Sequence, residues 1–148
     1  FILFLIYPLV SYSQNATKPQ LTLADALKIS AAAEAKAKQE NWNVVIAIMD
    51  DGGHLISLQK MDGVQTGSIE VAQAKAKTAV FFKRSTKVFE DMIKQGAVHL
   101  TTLPGVCAVE GGLPIFIDGV IVGSIGISGV TSAQDGIIAE AGVKGLGK

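Results

Sequence analysis

VVIAIMDDGGHLISLQKM, residues 44–61, decides the fold. Val44 to Met49 is a short apolar run rich in β-branched residues, the mark of a buried strand. Asp50-Asp51-Gly52-Gly53 follows with two acidic turn-formers and two glycines free to take positive φ, which suits a tight hairpin turn. From His54 the chain resumes as a second strand, with His54, Ile56 and Leu58 alternating against Leu55, Ser57 and Gln59. A hairpin is expected, with His54 at the first position after its turn.

Working outward, a helix is expected over Leu21–Glu40. Thr22 caps it, and Asp25 three residues on completes a capping-box-like start. Its inward face reads Leu23, Ala26, Leu27, Ser30, Ala33 and Ala37. After a turn at Asp62-Gly63, a second helix is expected from Ser68 to Phe82 with a small-residue face of Ile69, Ala72, Ala76, Ala79 and Val80. Lys87 to Gln95 reads as a shorter helix with Val88, Phe89 and Met92 inward and Gly96 as its stop. Pro104-Gly105 and Gly111-Gly112 break residues 97–112 into a loop with at most one short strand. Ile115-Phe116-Ile117, Asp118-Gly119 and Val120–Ser128 form a second hairpin. Gly123, Gly126 and Gly129 in its return strand point to close approach by another element, a packed helix before a flat ligand. Ser132 and Asp135 open a last helix. Two hairpins among helices define an α+β domain: a mostly antiparallel sheet with helices packed on it.

The 148 residues suit a single core. Thirteen basic side chains balance thirteen acidic ones, so net charge makes no case for nucleic acid or an anionic membrane. Lys75, Lys77, Lys83, Arg84 and Lys87 cluster locally and read as a solvated helix face before an anion patch. Phe1 to Val10 is apolar and uncharged, and Ser11-Tyr12-Ser13 places small residues before a cut. This reads as the end of a secretory signal, too short for a stable membrane span. The expected organisation is a signal remnant over 1–13, a short linker over 14–20 and one domain over 21–148. A secreted or periplasmic location follows. The lone Cys107 lies in an apolar run and reads as a small buried hydrophobe.

DDGGHL (Asp50–Leu55), SIEVAQAKAKTA (Ser68–Ala79), GGLPIFIDGVIVGSIGISG (Gly111–Gly129) and TSAQD (Thr131–Asp135) together resemble the GlcG/HbpS family of haem-binding proteins, over about Leu21 to Leu146. The resemblance implies a profilin-like sandwich, homo-oligomers and haem or a related tetrapyrrole as ligand, with haem degradation assigned to some members. Haem needs an apolar slot, an axial donor and cations for its propionates. The donors available are His54, His99, Met61, Met92 and Cys107. His54 leads as the metal ligand because a hairpin end projects it and the family motif includes it; a turn histidine bonded to nearby backbone is the plain alternative. His99 and Met61 complete the candidate cofactor-binding set, although His99 also reads as a loop residue and Met61 as a core filler. Lys75, Lys77 and Arg84 are the candidate propionate partners. Neither a zinc site, a calcium loop, a phosphate loop nor a nucleophile with an assigned base is recognisable. Three functions therefore stand: an exported haem-binding protein that stores, senses or slowly degrades haem; an enzyme acting on a small metabolite such as a hydroxy acid; and a regulatory oligomer that presents a surface to a partner such as a sensor protein.

Overall fold

The computed structural model describes residues 17–147. The expected signal remnant and the first part of the linker lie outside them. The element order is α1 (Leu23–Gln39), β1 (Val45–Asp50), β2 (Leu55–Lys60), α2 (Ser68–Phe81), α3 (Thr86–Lys94), a 3-10 turn at Val98–Thr102, β3 (Gly112–Ile117), β4 (Val120–Ser128) and α4 (Ser132–Lys144). The strands form one antiparallel sheet in the order β2-β1-β4-β3. Helices α1 and α4 pack on one face, and α2, with α3 beside it, on the other. The expected α+β sandwich is the fold. No helix among the described residues is long and apolar enough to cross a membrane.

Strand alternation sorts the core between the two faces. Ile46 and Ile48 of β1 and Ile125 and Ile127 of β4 meet Ile29, Ala33 and Ala37 of α1 and Ile138 of α4, all fully buried. Each buried isoleucine contributes about 1.5–3 kcal/mol relative to an exposed one. The opposite face of β4 carries Ser124, Gly126 and Ser128, and α2 lies directly on it. A Cβ at Gly126 would fall 2.0 Å from the Ala72 carbonyl oxygen, and one at Gly112, its partner across β3, 2.4 Å from that of Lys75. Ser124 Oγ donates to the Ala76 carbonyl at 2.7 Å. Gly123 and Gly129 make room instead for backbone at Met49 and Asn43. Close approach by a helix therefore accounts for the middle glycine of the three.

Local signals hold well at the turns and caps. Thr22 and Asp25 form the full capping box. Asp118 and Gly119 both take positive φ (50° and 76°), as a two-residue hairpin turn of the primed type requires. Three expectations are corrected. In α1 the buried stripe runs through Ile29, while Leu23 and Leu27 are 57% and 47% exposed: the helix is rotated so that its alanines, not its leucines, meet the sheet. In α3 only Phe89 of the three apolar residues is buried, edge-on to Phe82, and Val88 and Met92 face outward. The last helix is capped by Thr131 with Gln134, since Asp135 is turned into the core. Residues 97–112 contain the 3-10 turn and no strand before β3.

Gly126→Ala should lower the unfolding free energy by about 1–3 kcal/mol through overpacking. Gly67→Ala, where a Cβ meets nothing within 4 Å, should change it by less than about 0.5 kcal/mol. Urea unfolding of both variants checks the contrast.

Candidate functional site

His54 stands at the tip of the β1–β2 hairpin with its side chain 81% exposed, yet it is held on one side. Oδ1 of Asp50 accepts from the backbone N–H groups of Gly52 (2.9 Å) and His54 (2.8 Å). The same carboxylate lies 3.2–3.3 Å from the imidazole Nδ1. Burial works against the charged form of Asp50, but the His54 and Gly52 amides and the His54 ring prevail and hold its carboxyl below the ordinary value. Gly52 is required beneath the ring, since a Cβ there would fall 2.8 Å from Cε1 and Nδ1 of His54. Gly53 has φ +76°, and a Cβ on it would come within 2.5 Å of Cε1 of Phe81. The tip thus seats against the end of α2.

Around this tip the surface is apolar with cations beside it. Phe81 is 52% exposed, and Leu55, Phe116 and Val120 are exposed as well. Lys77 Nζ lies 5.4 Å from the Phe81 ring centroid, a cation–π contact. Besides a cleft of about 210 Å³ lined by Asp50, Asp51, Ile56 and Val122, two open clefts beside the turn reach α2, and His54 lines none of the three. One, of about 370 Å³, is lined by Met49, Gly53, Leu55, Glu70, Gln73 and Lys77. The other, of about 420 Å³, is lined by Asp51, Val80, Lys83, Phe116 and Val120, with Lys18 paired to Asp51 at its rim.

The other sequence candidates are not gathered here. Met61 sits beyond the far end of β2, beside Asn43, Lys60 and Asp62, and packs against the core. Six strand residues separate it from His54, roughly 20 Å at about 3.3 Å per residue. His99 is exposed on the 3-10 turn, which packs on α3. Met92 faces outward on α3. Cys107 is half-buried, its thiol pushed up by burial, and its N–H donates to Thr78 Oγ1 at 2.8 Å. Arg84 lies over the Phe89 ring, 5.7 Å from its centroid. Of the cations considered for propionates, Lys77 alone borders the His54 tip.

Lys75 is the largest correction. It is not on a solvated face: its side chain is 1% exposed, and Nζ donates to Asp135 Oδ2 at 2.7 Å and to the Ile127 carbonyl at 3.0 Å. Burial pushes the Asp135 carboxyl above its ordinary value, against the opposing pull of Lys75 and the amides of Val130 and Gly129. Gly111, at φ +125°, passes so close that a Cβ would lie 2.8 Å from that of Asp135. One signal was available: Lys75 falls three residues after Ala72 on the small-residue stripe. Nearby, Glu90 accepts from the Glu110 amide (2.6 Å), Ser132 Oγ (3.1 Å) and Lys94 (2.5 Å). The Glu110 side chain lies over Gly136 of α4. Burial raises the Glu110 carboxyl; Lys87 opposes this and Glu90 and Asp91 reinforce it.

The family of HbpS-like haem-degrading proteins matches residues 21–144, and this chain belongs to it. The protein GlcG of Escherichia coli strain K12 is 41% identical over 112 residues, spanning 76% of this chain and 84% of GlcG. A crystal structure of a double mutant of Streptomyces reticuli HbpS superposes with a TM-score of 0.82 at 29% identity, covering 97% of this chain and 99% of that one. The crystal structure of a PduOC:haem complex gives a TM-score of 0.78 at 29% identity, covering 86% of this chain and 95% of that one.

Removing one partner of a buried pair leaves a charge uncompensated. Lys75→Met should therefore cost about 3–5 kcal/mol in urea unfolding, and Lys75→Met combined with Asp135→Leu should recover part of that loss. Glu110 gives a prediction in pH. A raised carboxyl favours folding only while protonated, so its contribution is lost as pH climbs from the ordinary 4.5 through the raised value. The stability of Glu110→Gln relative to the parent protein should grow as pH climbs from 4.5 through the raised value and level off above it, read from unfolding curves taken between about pH 4 and 7.

Proposed function

We propose that this protein binds haem at the β1–β2 hairpin tip, with His54 as the iron ligand. One observation carries the reading: an exposed imidazole, backed by a carboxylate on Nδ1, stands at the hairpin tip, where its neighbours Gly53 and Leu55 line a cleft with Lys77 and Gly53 seats against exposed Phe81. These are an axial donor, an apolar floor and a cation for a propionate. Phe81 and Leu55 would cover the macrocycle, and Lys77 would meet a propionate. The haem, when bound, would supply redox-active iron. Among the described residues no hydroxyl or thiol is hydrogen-bonded to His54, which favours holding haem for storage or sensing over nucleophilic chemistry on a metabolite. The PduOC:haem complex supports the same ligand class.

Both clefts are open, so one chain covers only part of a planar ligand. We infer that a second copy covers the rest, making the functional form a homo-oligomer. We infer export as well, by a leader cut near Ser13, from the apolar, uncharged run Phe1–Val10.

Titration with haem, followed by Soret absorbance, tests the reading. The parent protein should saturate at one haem per site. His54→Ala should weaken binding by about tenfold or more, and Phe81→Ala should weaken it with the iron ligand intact. A Soret change that never saturates rejects haem as the ligand; saturation indifferent to His54→Ala moves the iron elsewhere. Light scattering with and without haem decides the oligomer.

A further inference from the structure

We propose that Asp50 is a positioning residue that fixes the tautomer of His54, placing the ring proton on Nδ1 and leaving Nε2 as the free electron-pair donor. The purpose assigned to this device rests on the haem reading; the device itself does not.

The argument begins with the carboxylate. An ionised Asp only accepts hydrogen bonds. Its contact with Nδ1 at 3.2–3.3 Å therefore requires the hydrogen on Nδ1, and in the neutral ring the lone pair then lies on Nε2. In water the Nε2–H form of the neutral histidine side chain predominates, so the protein must impose the other one. The means are visible. Asp50 cannot swing away, because its Oδ1 is tied to the amides of Gly52 and His54. The ring cannot drop toward the turn, because it already rests on Gly52. Among the described residues nothing bonds to Nε2. Of the other charges near the tip, Asp51 pairs with Lys18 and Lys77 lies over Phe81, while Glu70 and Lys83 line the two clefts on the α2 side. A histidine that only satisfied the turn through its backbone amide would need neither the ring contact nor the glycine beneath it. Carboxylate partners on the remote nitrogen are also what orient metal-binding imidazoles and raise their basicity.

Asp50→Asn separates this role from a structural one. The amide oxygen of Asn can still accept from Gly52 and His54, which keeps the turn. Its NH₂ would donate to Nδ1, which forces the proton onto Nε2 and blocks the donor. Nitrogen-15 NMR of the haem-free protein reads the tautomer directly. The expected result is an Nδ1–H ring in the parent and an Nε2–H ring in Asp50→Asn, with unchanged circular dichroism. Carbethoxylation of His54 by diethylpyrocarbonate, followed by mass spectrometry, should slow in the variant, and haem affinity should fall about tenfold to a hundredfold. Should Asp50→Asn disturb the hairpin, Gly52→Ala serves instead: its methyl would fall 2.8 Å from Cε1 and Nδ1 of His54 and only 3.3 Å from Asp50 Oδ1, so it pushes the ring off the carboxylate while the Asp50 side chain stays chemically unchanged, and the Nδ1–H preference should again be lost.

The same tautomer in the parent and in whichever of these variants is folded overturns the proposal. So does a switched tautomer with unaltered carbethoxylation. If the parent fails to bind haem while the tautomer and carbethoxylation respond as expected, the haem reading falls and the positioning role of Asp50 stands. Haem binding that is weakened by His54→Ala and unaffected by a switched tautomer keeps the haem reading and removes Asp50 from it.

Discussion

Everything at the hairpin tip depends on how near α2 comes to β4. Helices usually ride on a sheet at the distance their side chains impose. Here Gly126 and Gly112 offer no side chain, and Ser124 and Ser128 offer only hydroxyls, one of which bonds to the α2 backbone and the other to Ser68. The alanines of α2 complete a contact made largely of backbone. The direction of α2 is thereby set within narrow limits, and so is the place where it ends. Phe81 is its last residue, and Phe81 is what Gly53 seats against. A strand of small residues on one side of the sheet thus determines where an imidazole stands beyond its end.

Two aspartates with bonded nitrogen partners do opposite work. Asp135 and Lys75 are buried together, and the pair joins α2 to α4 around the edge of the sheet, with the Ile127 carbonyl taking a second Lys75 hydrogen. Such a pair adds little net stability, because desolvation offsets most of the attraction, yet a register shift of α2 would strand both charges. Its contribution is specificity of packing. Asp50 sits at the surface, where a salt bridge is worth little to folding. Three donors nevertheless converge on it from the turn it organises. What it does there is orient one ring.

The features legible in the sequence were those with local causes. Asp118-Gly119, the Thr22 capping box and the strand run Val44–Met49 each act over a few residues, and each appears where expected; in β2 the alternation expected from His54 onward is broken by a bulge opposite Ile48 and Met49, which sends Ile56 and Leu58 to opposite faces. The glycines of β4 could be read as a mark of close approach, and for Gly126 the visitor is a helix. What failed was decided by distant partners. Leu23 and Leu27 satisfy the helical period of α1 as well as Ile29 does, and only the small residues of α4, with Gly142 against Ile29 and Ala33, select the alanine-lined side. Lys75 looks like its charged neighbours until Asp135, sixty residues later, is brought opposite. His54 was legible because a turn exposes it by construction. The exposure of Phe81 and Phe116 was not, since both read as core in any pattern that scores hydrophobicity alone.

That exposure bears on how the site is completed. Exposed Phe81, Leu55 and Phe116 lie toward the end of the sheet where the tip stands, and grouped apolar surface of this kind marks binding sites. A planar tetrapyrrole would cover these side chains with one face and leave its other face in water. The clefts beside the tip do not close over that second face, because both are bounded by the hairpin turn and α2 and open outward. Burying it needs further protein, and the copies of this chain already carry the apolar surface and the cations required. On the haem reading, binding and self-association are then linked: a ligand shared between subunits favours the assembled state by its greater affinity for it, and assembly raises ligand affinity by the same factor. A sandwich whose own interior is fully packed would in this way use the space outside itself as its pocket.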